Sequence, residues 1–149
     1  MAETQTRRMV PRWVLDIQNF LLRHNLLGPA GNILMVITTI GRKSGKNYHV
    51  PIGYVPDGTT YLSFNPQGWS NWYKNVLVNP QATLNIKGKT IRVRGEPIRD
   101  DAEFLKAMEV FKRERPNQLE RFMKIPQDSA GADLLKAKDQ VVLVRFYPL

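Results

Sequence analysis

Cysteine is absent from this chain of 149 residues, and histidine occurs only twice, as His24 and His49. The absence of cysteine excludes disulfides, thiolate zinc sites and cysteine nucleophiles, and it fits a reducing, cytoplasmic compartment. The two histidines lack the spacing of paired metal ligands, and no G-x-S-x-G segment is present. The sequence therefore predicts no metal site and gives no support to serine–histidine–acid catalysis.

Long apolar runs are also missing. No window holds the roughly 18 uninterrupted apolar residues that a membrane-spanning helix needs, and the polar, basic start Met1–Arg12 lacks the apolar centre of a secretory signal. A chain of 149 residues matches one ordinary domain. We expect a single domain over residues 1–149, with residues 1–12 as a flexible basic N-terminus.

Acidic residues are few, since 13 Asp and Glu stand against 22 Lys and Arg and give a formal net charge of +9. This charge favours acidic partners but does not choose among a phosphorylated cofactor, nucleic acid and an anionic lipid surface. Peripheral contact with a membrane therefore stays open. A specific nucleic-acid partner is not expected, because only the net charge points to one.

Short β-branched segments separated by Gly and Pro turns make up most of the chain. Strands are predicted over 33–39, 49–55, 60–64, 82–86, 90–93 and 141–147. Helices are predicted over 14–23, 69–78 and from the capping-box pair Asp100 and Glu103 onward, with Pro116 starting another helical piece. About six strands in short connections predict a closed or nearly closed antiparallel barrel with peripheral helices. A twisted sheet covered on one face is the alternative.

A cationic turn bounded by glycines, Ile40–Lys46, separates the first two predicted strands. Glycine permits backbone conformations closed to other residues, and a turn with successive free N–H groups, an arginine and lysines can bind a phosphate or carboxylate. A solvated hairpin turn of the same composition is the alternative and needs no ligand.

Three segments in order, Ile37–Gly45, Val50–Gly58 and Trp72–Pro80, resemble the deazaflavin-dependent nitroreductase family. The family reads T-T-G-R-K-S-G, then P-L-x-Y, then W-Y-x-N-L-x-A-N-P at the corresponding positions. The resemblance covers residues 33–95 and extends to the last predicted strand. It implies a split β-barrel that binds reduced coenzyme F420 and passes a hydride to a quinone-like, nitroaromatic or other conjugated small-molecule acceptor.

The resemblance also assigns candidate residues. Coenzyme F420 carries a phosphate and a polyglutamate tail, and the positions matched to its anionic part are Arg42, Lys43 and Ser44, with Lys46 adding long-range attraction. Other positions matched to cofactor-facing parts are Tyr48, Pro51, Ile52, Ser63, Phe64, Asn65 and Trp72. Weaker candidates for the acceptor site are Trp69, Tyr73, Phe122 and Tyr147. No catalytic acid or base is assigned, because hydride transfer to a quinone can take its proton from water or from a tyrosine hydroxyl.

Two cofactor-facing segments depart from the family's pattern. Tyr48 stands where the family usually has an arginine, and the loop Asn65–Asn71 replaces a glycine-rich stretch. His49 could replace the missing arginine only if its side chain pointed the same way as that of Tyr48, but neighbouring residues on a strand face opposite sides. A non-catalytic split barrel that binds FMN, FAD, haem or an apolar ligand is therefore the second hypothesis. Monomer and homodimer stay equally open.

Overall fold

The computed structural model describes residues 33–66, 70–116, 124–126 and 128–149. The predicted helix over 14–23, the basic N-terminus 1–12 and the acceptor-site candidates Trp69 and Phe122 lie outside the described residues.

Seven strands form one antiparallel sheet. They are β1 (Leu34–Ile40), β2 (Asn47–Gly53), β3 (Val55–Asp57), β4 (Thr60–Pro66), β5 (Gln81–Ile86), β6 (Lys89–Pro97) and β7 (Val141–Pro148). Their order across the sheet is β2-β1-β5-β6-β7-β4-β3, so β2 and β3 are its two edges.

The two edge strands are consecutive in the chain, with only Tyr54 between them. A chain that runs directly from one edge of a sheet to the other must curl that sheet into a barrel. At this corner Tyr54 N–H donates to the Ile33 carbonyl at 3.1 Å, and the Ser63 hydroxyl of β4 donates to the Gly53 carbonyl of β2 at 2.6 Å. The predicted split-barrel class is confirmed. The described residues form seven strands rather than about six, because the predicted strand 49–55 is divided at Tyr54.

Three α-helices accompany the sheet in the described ranges: α1 (Asn71–Val78), α2 (Asp101–Glu114) and α3 (Ala132–Leu135), the last followed by a 3₁₀ turn over Lys136–Asp139. The predicted start of α2 is confirmed, since Asp100 is its N-cap and accepts from Glu103 N–H at 2.9 Å. Helix α1 begins at Asn71 after the N-cap Ser70, two residues later than predicted. No helix in the described ranges is long and apolar enough to cross a membrane.

Apolar side chains form two buried clusters. One joins β3, β4 and β7 to α2, with Leu62 and Phe104 among its members, and the other joins β1, β5 and β6 to α1. Helix α1 lies very close to β6, because a Cβ added to Gly95 would be 2.9 Å from both Val76 Cγ1 and Phe146 Cε1. Glycine at this position therefore lets α1 rest directly on the sheet, where it can form one wall of a site.

Candidate functional site

A cavity of about 570 Å³ lies along the edge strand β2, between the 41–46 turn and the first turns of α1. Its walls are formed by Thr39, Gly41, Arg42, Lys43, Ser44, Tyr48, His49, Val50, Pro51, Ile52, Ser70, Asn71, Trp72 and Asn75. The cavity thus brings together the cationic turn, the second predicted strand and the helix, which belong to three separate parts of the sequence.

The turn is joined to α1 by Asn75, whose side chain is only 3% exposed. Its Oδ1 accepts from the Arg42 backbone N–H at 3.2 Å and from Arg42 Nη1 at 2.8 Å, and its Nδ2 donates to Thr39 Oγ1 at 3.1 Å. A buried amide with every polar atom paired orients its neighbours strongly, because any movement would leave a buried donor or acceptor unsatisfied. Asn75 therefore fixes the position of Arg42 at the cavity wall.

Hydrogen bonds within the turn close it on itself. Gly41 N–H donates to the Lys46 carbonyl at 2.7 Å, and Gly45 N–H donates to the Gly41 carbonyl at 2.9 Å. Gly45 has φ of +71°, a conformation that glycine adopts without strain. Lys46 N–H donates to Ser44 Oγ at 3.2 Å. Within the described part of the chain, the N–H groups of Lys43 and Ser44 keep no partner.

Tyr48 covers the turn from β2. Its hydroxyl is 3.0 Å from Ser44 Oγ. Its ring lies against Gly41, where an added Cβ would be 2.4 Å from Tyr48 Cε2. Tyr48 is paired across the sheet with Thr39, which is buried towards α1. The tyrosine at the departing position is thus part of the turn's own structure.

His49 faces the opposite side of β2, as strand alternation predicts. It is paired with Thr38 across the sheet, and its Nδ1 is 2.7 Å from Thr38 Oγ1. The histidine forms part of the cavity's rim, but it does not occupy the place of the missing arginine.

The far end of the cavity is apolar, with Val50, Pro51, Ile52 and Trp72 in its walls. Proline is tolerated on β2 because the strand pairs only with β1, so a missing N–H on its free side costs no ladder hydrogen bond. Trp72 is only 6% exposed and packs against Phe146, with ring centroids 6.1 Å apart. This end is therefore a rigid apolar surface that begins where the cationic turn ends.

Six of the predicted site residues that the structure describes do not line this cavity. Ser63 and Asn65 are fully buried, and Asn65 Oδ1 accepts from Ser70 N–H at 3.1 Å, just before α1. Phe64 packs edge-on against Phe111 with ring centroids 5.9 Å apart. Ser63 and Asn65 therefore brace the wall of the cavity from behind.

The remaining three lie further away or point elsewhere. Lys46 is exposed at the end of the turn, and Tyr73 lines a separate cavity of about 230 Å³. Tyr147 lies under the Arg94 guanidinium, whose Cζ is 5.3 Å from the ring centroid. Roles for these side chains in cofactor or acceptor binding stay predictions.

The sequence reading missed the connection between turn and helix. Asn75, which was not among the predicted site residues, holds Arg42 and Thr39, and Asn71 was not assigned a role. One signal could have found Asn75: it is a polar residue three positions after Trp72, on the helix face that carries the buried Val76 and Trp72. A polar residue on a buried face needs partners, and the nearest polar backbone is the turn.

Comparison with known proteins decides the family. The model of the F420H2-dependent quinone reductase family matches residues 24–127. The chain belongs to this family. The resemblance read from the three motifs is confirmed, and the protein is an F420-dependent oxidoreductase with coenzyme F420 as its cofactor.

Solved structures share the fold at low sequence identity. The heme storage protein HutZ from Vibrio cholerae is 17% identical over 91% of this chain and 90% of its own, with a TM-score of 0.53. An FAD-binding protein from Mesorhizobium loti is 12% identical over 89% and 88%, with a TM-score of 0.55. A domain-swapped dimer is 19% identical over 90% and 97%, with a TM-score of 0.57. No curated protein matches the chain in sequence.

Proposed function

We propose that the protein transfers a hydride from reduced F420 to a quinone-like or nitroaromatic acceptor in the cavity along β2. One observation carries this proposal: the cavity has a cationic turn at one end and an apolar, aromatic surface at the other. A cofactor with an anionic tail and a flat conjugated ring needs both ends, and it needs them on one continuous wall.

The donors at the cationic end fit an anionic group. Arg42 has five N–H donors, and Asn75 takes one of them at 2.8 Å while Asn71 accepts another at the long distance of 3.5 Å. Lys43 is exposed and has no hydrogen-bond or ion-pair partner within the described residues. Lys43 would therefore bind the phosphate directly, whereas Arg42 contributes its charge and its remaining donors from a fixed position.

The apolar end fits the ring. Pro51 and Ile52 of β2 and Trp72 of α1 all line this part of the cavity, and buried apolar walls exclude water from a reacting pair. When bound, the cofactor supplies the hydride. The contribution of these residues is to hold the ring and the acceptor in one orientation, because proximity and alignment lower the barrier without any acid or base.

Calorimetric titration with F420 tests the proposal on the wild type, Lys43→Ala and Lys89→Ala. Lys89 is exposed on the β5–β6 hairpin, and the pairing of β1 with β5 places this hairpin at the opposite end of the sheet from the turn. Both variants lose one positive charge. We expect Lys43→Ala to weaken binding about tenfold or more, because a charge-assisted contact is worth roughly 1.5–3 kcal/mol. Lys89→Ala should stay within about twofold, since distant exposed charges are screened.

The absence of F420 binding by the wild type would overturn the proposed site. Equal losses in the two variants would instead show that only overall charge matters. Titration with FMN under the same conditions tests the second hypothesis, and oxidation of reduced F420 by a quinone and by a nitroaromatic compound then compares the two acceptor classes.

A further inference from the structure

Tyr48 lies at the anionic end of the cavity, and the proposed function gives it no task. Its side chain is 43% exposed, yet it is held at two points, by the hydroxyl contact with Ser44 at 3.0 Å and by the packing of its ring on Gly41. Tyr48 is therefore fixed against the turn by both its ring and its hydroxyl, although it is half-exposed.

The turn beneath this ring offers two backbone donors to a ligand. The N–H groups of Lys43 and Ser44 follow each other and have no partner within the described part of the chain, whereas the other N–H groups between Gly41 and Lys46 are hydrogen-bonded. Successive free N–H groups in a turn form a concavity that binds anions. Both residues belong to the cavity wall.

We propose that Tyr48 is a positioning residue for this pair of N–H groups, so that the turn is already shaped for the phosphate before the cofactor arrives. This inference rests on the proposed function and deepens it. The Ser44 hydroxyl pairs with Tyr48 and also accepts from Lys46 N–H at 3.2 Å, so the tyrosine stabilises the segment between Ser44 and Lys46.

The two glycines of the turn have different consequences for Tyr48. Gly41 leaves room for the ring, since any Cβ there would be 2.4 Å from Tyr48 Cε2. Gly45 brings backbone freedom, and a turn with two glycines loses more conformational entropy on binding than an ordinary turn. A side chain that orders the turn in advance lowers this cost and raises the affinity for the ligand.

The inference predicts an effect that depends on the phosphate. Calorimetry compares the wild type, Tyr48→Phe and Tyr48→Ala with two ligands, F420 and the deazaflavin fragment that lacks the phosphate and tail. Tyr48→Phe keeps the ring and loses the contact with Ser44. We expect it to weaken F420 binding about threefold to tenfold, the effect of one hydrogen bond, and to change fragment binding by less than about twofold. Tyr48→Ala should weaken F420 binding further. A merely structural defect would lower the affinity for both ligands together.

A measurement without the cofactor separates this inference from the proposed function. Titration of the wild type and Tyr48→Phe with inorganic phosphate, followed by the NMR shifts of the Lys43 and Ser44 amides, should require severalfold more phosphate in the variant. If the wild type binds F420 but Tyr48→Phe weakens both deazaflavins equally or neither, the inference is wrong and the proposed function stands. If the wild type binds neither deazaflavin, the proposed function fails, and the phosphate titration alone tests the role of Tyr48. An identical phosphate dependence in both proteins, or the absence of any shift, would overturn the role of Tyr48.

Discussion

Asn75 Oδ1 accepts two hydrogen bonds from Arg42, one from its backbone N–H at 3.2 Å and one from Nη1 at 2.8 Å. One buried side-chain oxygen of α1 therefore holds both the backbone and the guanidinium of Arg42, whereas Asn71 Oδ1 adds only the long, exposed contact with Nη2 at 3.5 Å. Arg42 therefore has a structural role in the cavity wall as well as a charge at the cationic end. This distinguishes it from Lys43, its neighbour in the sequence.

Replacement of this asparagine should be costly. Asn75→Ala leaves Thr39 Oγ1 and the Arg42 N–H without their buried partner, and an unsatisfied buried polar group costs about 1–3 kcal/mol. We expect the free energy of unfolding to fall by about 2–3 kcal/mol, and F420 binding to weaken as well, as Arg42 loses its fixed position. Urea denaturation and calorimetry measure the two effects.

Asn71→Ala is the matched control for Asn75→Ala. Asn71 is exposed and contacts Arg42 Nη2 only at 3.5 Å, so its loss should change stability by less than about 0.5 kcal/mol. Equal destabilisation by the two substitutions would show that the buried amide has no special role in holding the turn.

A second polar connection holds the other side of the barrel. Arg145 of β7 is 13% exposed, and its Nη1 donates to Asp57 Oδ2 at 2.8 Å and to Thr60 Oγ1 at 2.7 Å. Its Nε is 3.5 Å from Glu103 Oε1 of α2. Arg145→Met should lower the free energy of unfolding by about 2 kcal/mol, less than for a fully buried pair because both carboxylates are partly solvated.

Arg113→Met is the control that tests whether the loss of any ion pair lowers the free energy of unfolding as much as Arg145→Met does. Arg113 pairs with Glu114 at 3.0 Å, but the two side chains are 67% and 47% exposed, and such pairs contribute less than about 1 kcal/mol. Urea denaturation of both variants measures the difference. A loss in Arg113→Met as large as that in Arg145→Met would contradict the argument from burial.

Much of the site was predictable because its signals are local. The turn Gly41–Lys46 is recognisable from its glycines and its positive charges. The positions of Pro51, Ile52 and Trp72 follow from motifs that fix a residue's place on one element. The capping pair at Asp100 is equally local, since cap and partner are three residues apart.

The rest depended on contacts distant in sequence. Strand alternation puts Tyr147 on one face of β7 but does not say that this face carries Arg94 rather than the cavity. The division of the second strand at Tyr54 follows from curling of the sheet, because the two halves pair with different strands, β1 and β4. Likewise, Phe64 meets Phe111 of α2 because the helix returns across β4, which periodicity alone does not specify.

The raised pKa of Tyr54, at the corner between β2 and β3, makes the stability of the protein depend on pH in the alkaline range. Burial raises the pKa of its hydroxyl above the ordinary value of 10.0; the nearby Arg115 acts in the opposite direction, and Tyr61 adds to the rise. The unfolded chain therefore loses this proton at a lower pH than the folded chain. The tyrosine's contribution to stability is complete below pH 10.0 and is lost as the pH rises through the raised pKa of the folded state.

Tyr54→Phe should remove this part of the pH dependence. Urea denaturation at about pH 9 and about pH 11 should show a larger loss of stability in the wild type than in Tyr54→Phe, by at most about 1.4 kcal/mol per pH unit. The difference between the two proteins isolates one group, because every other titrating residue is common to both. Parallel stability curves across this range would mean that the buried hydroxyl loses its proton equally readily in the folded and unfolded chains.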